Sequence, residues 1–146
     1  MLGAVDKGLP RKEGGKMFTE TYIEMVTKAK EIQDLCKYNK GDWFWNGEKP
    51  YLYCKSGLGS SNPHDYKWLP TLEDLFGILE GDVIDILDSF YDWVVVDCTN
   101  VILLNNLVDI KEFLLCYVMF ENYSKLWNPD KNKWEEINEY SENGKV

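Results

Sequence analysis

The side chains best suited to chemistry are few and scattered. His64 is the only histidine; it is followed by Asp65 and preceded by Cys54 and a serine-containing loop. An imidazole oriented by a carboxylate and acting on a thiol or hydroxyl is the arrangement of a general base with its nucleophile. His64 and Cys54 are therefore the candidate catalytic residues, and an exposed loop histidine with no chemical role is the plainer alternative. Asp82, Asp85, Asp88 and Asp92 recur at intervals of three, three and four, which on a helix makes one acidic stripe. Such a stripe could imitate nucleic-acid phosphates, hold a divalent cation, or be a solvated face. Cation ligation usually draws on more than one element and a glycine-containing loop, so no metal is assigned.

Other motifs fall short of a site. Gly57-Leu58-Gly59 follows a strand-like segment, but Pro63 intervenes before any helix and the Lys-Ser/Thr of a phosphate-binding loop is missing. Cys36, Cys54, Cys98 and Cys116 are widely spaced without a Cys-x-x-Cys pair, which points to reduced structural thiols and gives no zinc site. No cofactor is implied. The remaining candidates are surfaces for a partner: Trp43, Trp45 and Trp68, from a composition that is 14% aromatic, together with the four aspartates.

Charge narrows the partner. The chain of 146 residues has a net charge of −9, and Arg11 is its only arginine. Residues 1 to 16 hold Lys7, Arg11, Lys12 and Lys16 against Asp6 and Glu13, so the rest carries −11. Without a guanidinium in the body, direct binding to nucleic acid or to an anionic membrane is not expected. No apolar run approaches the roughly 20 residues that span a bilayer and no signal peptide is visible, so a soluble cytoplasmic protein is expected.

These residues need a scaffold, and the length and 45% hydrophobic content suit one domain, expected over 17–138 with a flexible tail at 139–146. Lys12-Glu13-Gly14 can be encoded by a ribosome-binding run just before Met17, so Met17 is the expected start and residues 1–16 a disordered leader. The scaffold is organised around Asp109 to Trp127, which reads as one helix opened by a capping box at Asp109 and Glu112. Ile110, Phe113, Leu114, Tyr117 and Phe120 share a face, and Leu115, Cys116, Val118 and Met119 fill most of the rest. A helix apolar nearly all round must be covered on several sides, by the chain itself or by a second copy.

A first amphipathic helix is expected from Thr19 to about Tyr38. Asp42 to Trp45 and Glu48 to Lys55 form a hairpin around Asn46-Gly47 with a two-residue type I′ turn, and Pro50 sits at an edge or strand start. Pro70 and Thr71 open a short helix that Gly81 stops. The aspartate helix follows, with Val83, Ile84, Leu87, Phe90 and Tyr91 opposite the stripe. Trp93 to Cys98 reads as the central strand, Val101 to Leu104 as another, and Lys131 to Ile137 as a last short one. The expected fold class is α+β, a small mainly antiparallel sheet packed by two long helices.

Gly41-Asp42-Trp43, Trp68-Leu69-Pro70 and Phe113-Leu114-Leu115-x-x-Val118-Met119-x-x-x-x-Tyr123, with Trp127 and Trp134, resemble a group of small phage and prophage proteins of low-GC Gram-positive bacteria. The resemblance runs over Tyr22 to Trp134, and the group has no assigned activity or fold. It implies a phage or prophage origin and carries no activity with it; the acidity, the aromatic content and the lack of a catalytic grouping make a phage accessory protein that binds a host protein or defence component the expected function. A small-molecule or nucleotide binder with tryptophans lining a pocket, and a small hydrolase-type enzyme using His64, are the alternatives.

Overall fold

The computed structural model describes residues 17–54, 65–97 and 109–137. His64, the loop around it, the expected strand at Val101 to Leu104, the leader and the tail lie outside them. The described elements are α1 (Glu20–Thr27), α2 (Lys30–Gln33), β1 (Trp43–Trp45), β2 (Pro50–Leu52), β3 (Lys67–Leu69), α3 (Leu72–Ile78), α4 (Val83–Asp92), a π-helical segment (Trp93–Asp97), α5 (Ile110–Tyr123), β4 (Lys125–Asn128) and β5 (Lys133–Glu136). The fold is α+β, with an antiparallel three-stranded sheet of order β2-β1-β3 and a separate antiparallel pair β4-β5.

Helix α5 lies at the centre. Asp109 caps it by accepting the Lys111 N–H at 2.7 Å, and Leu114, Leu115, Cys116, Tyr117, Val118 and Met119 are all buried within the one chain. Cover for the all-round apolar helix therefore comes from α1, α3 and β4. Ile110 departs from the expected buried face and is 55% exposed. The helix is also shorter than expected: Ser124 adopts a left-handed conformation that ends it, and Lys125–Asn128 leaves to pair with β5. The edge-to-face contact of Trp127 with Trp134, centroids 5.2 Å apart, fixes that pairing.

Glu112 is fully buried on α5 and its carboxylate accepts the hydroxyl of Thr19. Thr19 is in turn the N-cap of α1, accepting the Tyr22 N–H at 3.0 Å. One hydroxyl thus ties the starts of two helices together.

The first helix is not continuous. Around Lys28 and Ala29 the backbone bonds shorten to three-residue spans, Lys28 N–H to the Met25 carbonyl and Ala29 N–H to the Val26 carbonyl. Donors from elsewhere compete for both carbonyls. The Trp134 indole donates to Met25 at 2.9 Å and the Gln33 amide to Val26 at 2.9 Å, while the Thr27 hydroxyl bonds back to Ile23 at 2.7 Å. The chain turns, and α2 restarts with Ile32 buried.

The hairpin is present, but Trp45 pairs with Pro50, so four residues rather than two connect the strands. The Asn46 side chain closes the loop by accepting the Glu48 and Lys49 N–H groups at 2.7 and 3.0 Å, and Gly47 takes a φ of +104°. The side-chain bond replaces the tight type I′ turn. Pro50 begins the edge strand β2, as its missing N–H requires.

The expected central strand at Trp93 is the main correction. The helix of α4 runs on into a π-helical segment over Trp93–Asp97, which keeps Trp93 in helical register with Ile86 and Phe90 and sets its ring 5.5 Å from both Tyr117 and Phe120. Burying that indole against α5 outweighs the strand preference of the valines. The third strand is instead Lys67–Leu69, paired on β1 with Phe44 opposite Trp68.

Candidate functional site

The proposed catalytic pair cannot be assembled here: Cys54 is exposed just past β2, and His64 falls outside the described residues. Trp43 and Trp45 project from the β1 face opposite Phe44, and with Met17, Phe18, Ile23 and Pro50 they line one cleft of about 530 Å³. Trp43 meets the Phe18 ring edge-on at 5.9 Å. Trp68 lies on the other side of the sheet and joins neither.

The four aspartates occupy exposed positions on α4 and its cap. Asp82 is the N-cap, accepting the Ile84 N–H at 3.2 Å. Asp85 and Asp88 are exposed and border two different clefts, and Asp92 is exposed at the helix end. Among the described residues no group of three or more His, Cys, Asp or Glu is placed to hold a metal ion.

A different set of residues converges. One cleft of about 630 Å³ is lined by Glu80, Asp85, Ser89, Tyr117, Glu121 and Asn122 among others. A second, of about 540 Å³, is lined by Lys37, Asn39, Asp42, Trp68, Glu73, Asp74 and their neighbours. Both include Ile78, Glu80, Asn122 and Tyr123, so they adjoin and form one trough. Helix α3, capped by Thr71 and Asp74 in a reciprocal capping box, and the Gly81 turn at φ +131° that starts α4 anew supply one wall. The last turn of α5 supplies the other.

Six carboxylates border this trough against one lysine. Four of the six, Glu73, Asp74, Glu80 and Asp85, come from a stretch without bases. Residues 68–110 contain nine Asp and Glu and no Lys, Arg or His, while the sixteen acids and sixteen bases elsewhere cancel, so the whole net charge of −9 sits in this segment. Burial, with a smaller push from neighbouring carboxylates, raises three groups around the trough. Burial first, and then the Glu121 carboxylate, raises the Tyr117 hydroxyl above its ordinary range despite a hydrogen bond with Ser89. Burial raises Asp42 against the Asn39 N–H bond, with Asp74 adding to the rise. Burial likewise pushes the Cys36 thiol up to about 11, with the charges of Asp42 and Asp74 adding to it.

Trp68 is held on its strand by an unusual partner. The Gln33 side chain accepts the Trp68 N–H at 2.7 Å and donates to its carbonyl at 2.9 Å, which completes the outer edge of β3 as a neighbouring strand would. The Trp68 ring is 7% exposed, and its indole N–H is buried with no acceptor. A buried donor left unpaired costs about 1 to 3 kcal/mol. The trough therefore offers carboxylates to cations, while the indole N–H stays enclosed.

Of these residues the sequence singles out Trp68 and Asp85. Lys37, Asp42, Glu73, Asp74, Glu80 and Glu121 come from separate segments with no shared motif, and the one available signal is the stretch of 68–110 without a base.

Comparison of the chain with family models, curated proteins and solved structures found no match. The likeness to phage-encoded proteins therefore stays an expectation of the sequence. Among the described residues, no helix is long and apolar enough to cross a membrane.

Proposed function

We propose that the protein is a non-enzymatic protein-binding module, an accessory protein of phage or prophage type that engages a host or defence component in the host cytoplasm. The acidic trough carries this reading. It gathers six carboxylates against one lysine along two adjoining clefts, and a field of one sign in a concave surface steers and selects a partner of the other. Affinity capture from a bacterial lysate with the wild-type chain and with the double variant Glu80→Lys, Asp85→Lys tests it. Both positions are exposed, so the fold should survive. A stoichiometric protein held by the wild type and released by the variant is expected; capture indifferent to the reversal ends the proposal.

One observation favours a second reading, a small-molecule binder. Trp68 lines a cleft with its N–H unused, and buried tryptophans with a few polar groups are typical of ligand pockets. The acidic wall disfavours a nucleotide phosphate, so the ligand would be neutral or cationic. Intrinsic fluorescence should then respond to a pool of such metabolites in the wild type and not in Trp68→Phe.

A further inference from the structure

We infer that the outer edge of β2 takes up an extended segment of another protein as a fourth, antiparallel strand, with apolar side chains at every second position entering the cleft of Trp43 and Trp45 and a flanking lysine or arginine facing Glu20 and Glu48. This surface is separate from the trough, so the proposal goes beyond the reading above and stands or falls without it. The two edges of the three-stranded sheet differ. On β3, the Gln33 side chain satisfies the outward N–H and carbonyl of Trp68. On β2, the Tyr53 N–H bonds the Asp42 carbonyl at 2.8 Å and the Asn46 N–H bonds the Lys49 carbonyl at 3.4 Å. The antiparallel register therefore aims the main-chain groups of Tyr51 at Phe44 and turns those of Pro50 and Leu52 outward. Pro50 presents a carbonyl there, and Leu52, 45% exposed, a carbonyl and an N–H. None of the three has a partner among the described residues. Such a row of strand groups is a template for an added strand, which answers it donor for acceptor. The side chains choose the occupant. Pro50 and Leu52 share the sheet face of Trp45 and Trp43, their partners in register, and Trp43, Trp45 and Pro50 line the cleft of about 530 Å³ beside this edge. Every second side chain of an added strand falls over that face. Glu20 and Glu48 are exposed at the same cleft, while Lys49 is drawn to the Tyr51 ring at 5.5 Å, so the flank suits a cation. A second copy suits the edge less, because its own β2 lacks the Pro50 N–H and brings the same carboxylates.

The test uses the full chain and an end-capped, fluorescein-labelled peptide, Lys-Val-Thr-Val-Thr-Val-Lys, with its glutamate-ended counterpart. Anisotropy should show binding of the lysine-ended peptide and weaker binding of the other. In an antiparallel fourth strand the residues over the Trp43 face also turn their N–H groups toward β2. N-methylation of the valines should therefore weaken binding roughly 5- to 150-fold, the range of two hydrogen bonds, and N-methylation of the threonines should leave it within about twofold. These peptides require no change to the protein. Glu48→Lys, at an exposed position, should weaken the lysine-ended peptide, and the Glu80→Lys, Asp85→Lys variant should bind it as the wild type does. No binding, equal loss in both methylated peptides, or loss in the trough variant without loss in Glu48→Lys overturns the inference. A doubled mass in light scattering that the peptide reverses also overturns it, since the edge would then be a contact between copies.

Discussion

Helices α5 and α4 make opposite use of their apolar residues. On α5, apolar nearly all round, the six residues from Leu114 to Met119 are sealed by the chain's own elements. On α4, whose pattern is the ordinary amphipathic one, only Ile86 and Phe90 are buried, while Val83, Ile84, Leu87 and Tyr91 are between 43% and 64% exposed. Of the face that the spacing marks as apolar only Phe90 packs, and Ile86 and Trp93 turn inward beside it, guided by the aromatic contacts of Phe90 and Trp93 with Tyr117. Apolar periodicity therefore tells which residues a helix could bury, and the neighbours decide which it does. The sharpest break in this comparison is a cavity. Leu115→Ala, at a fully buried site on α5, should cost about 2 to 5 kcal/mol in urea unfolding. A loss below about 1 kcal/mol would mean that α5 is not the centre of the core.

The next largest effect lies where α2 joins α1 to β3. Gln33→Leu removes the side chain that satisfies both main-chain groups of Trp68 and the Val26 carbonyl, and should cost about 1 to 3 kcal/mol. Hydrogen exchange at the Trp68 amide, accelerated more than the amides of α5, would locate the damage.

This contact also marks what the sequence can reveal. The caps at Thr71 and Asp109 and the hairpin at Asn46-Gly47 are legible because donor, acceptor and turn residue lie within a few positions of one another. The break after Thr27 is not, since its cause includes the indole of Trp134 arriving from the far end of the chain. Strand β3 is hidden for a similar reason: its outer edge is completed by a glutamine on α2. The trough is hidden because its wall is drawn from the loop after α2, from α3 and α4, and from the last turn of α5.

A smaller, pH-dependent effect tests how α2 is pinned beside the end of α5. Burial alone would raise the Glu31 carboxyl, but the Lys125 ammonium donating at 2.5 Å outweighs it, and the net effect is to hold the carboxyl below its ordinary value of 4.5. A depressed carboxyl stabilises the fold above its unfolded value, and that contribution is lost as pH falls through the folded one. Lys125→Met should therefore melt about 2 to 4 °C below wild type near neutral pH, as an ion pair worth up to about 1 kcal/mol predicts. The gap should close as the pH is taken well below 4.5. A gap that persists in acid would assign the effect to packing of the lysine stem.

The smallest effect is expected on the bare face of α4. Since α5 is covered within one chain, the self-association anticipated from its greasiness loses that basis, and any pairing of two copies must use another surface. Val83, Ile84, Leu87 and Tyr91 offer one, although a symmetric pairing there would bring Asp88 of each copy toward the other's carboxylates. Ile84→Asp, at a position 64% exposed, should change unfolding free energy by no more than about 0.5 kcal/mol in dilute solution. Light scattering of wild type and variant at rising concentration separates the remaining possibilities: a mass that grows in the wild type and not in Ile84→Asp identifies α4 as the contact, and equal masses leave it as uncovered surface. A loss well above 1 kcal/mol in dilute protein would show instead that this face is packed, and the contrast between the two helices would disappear.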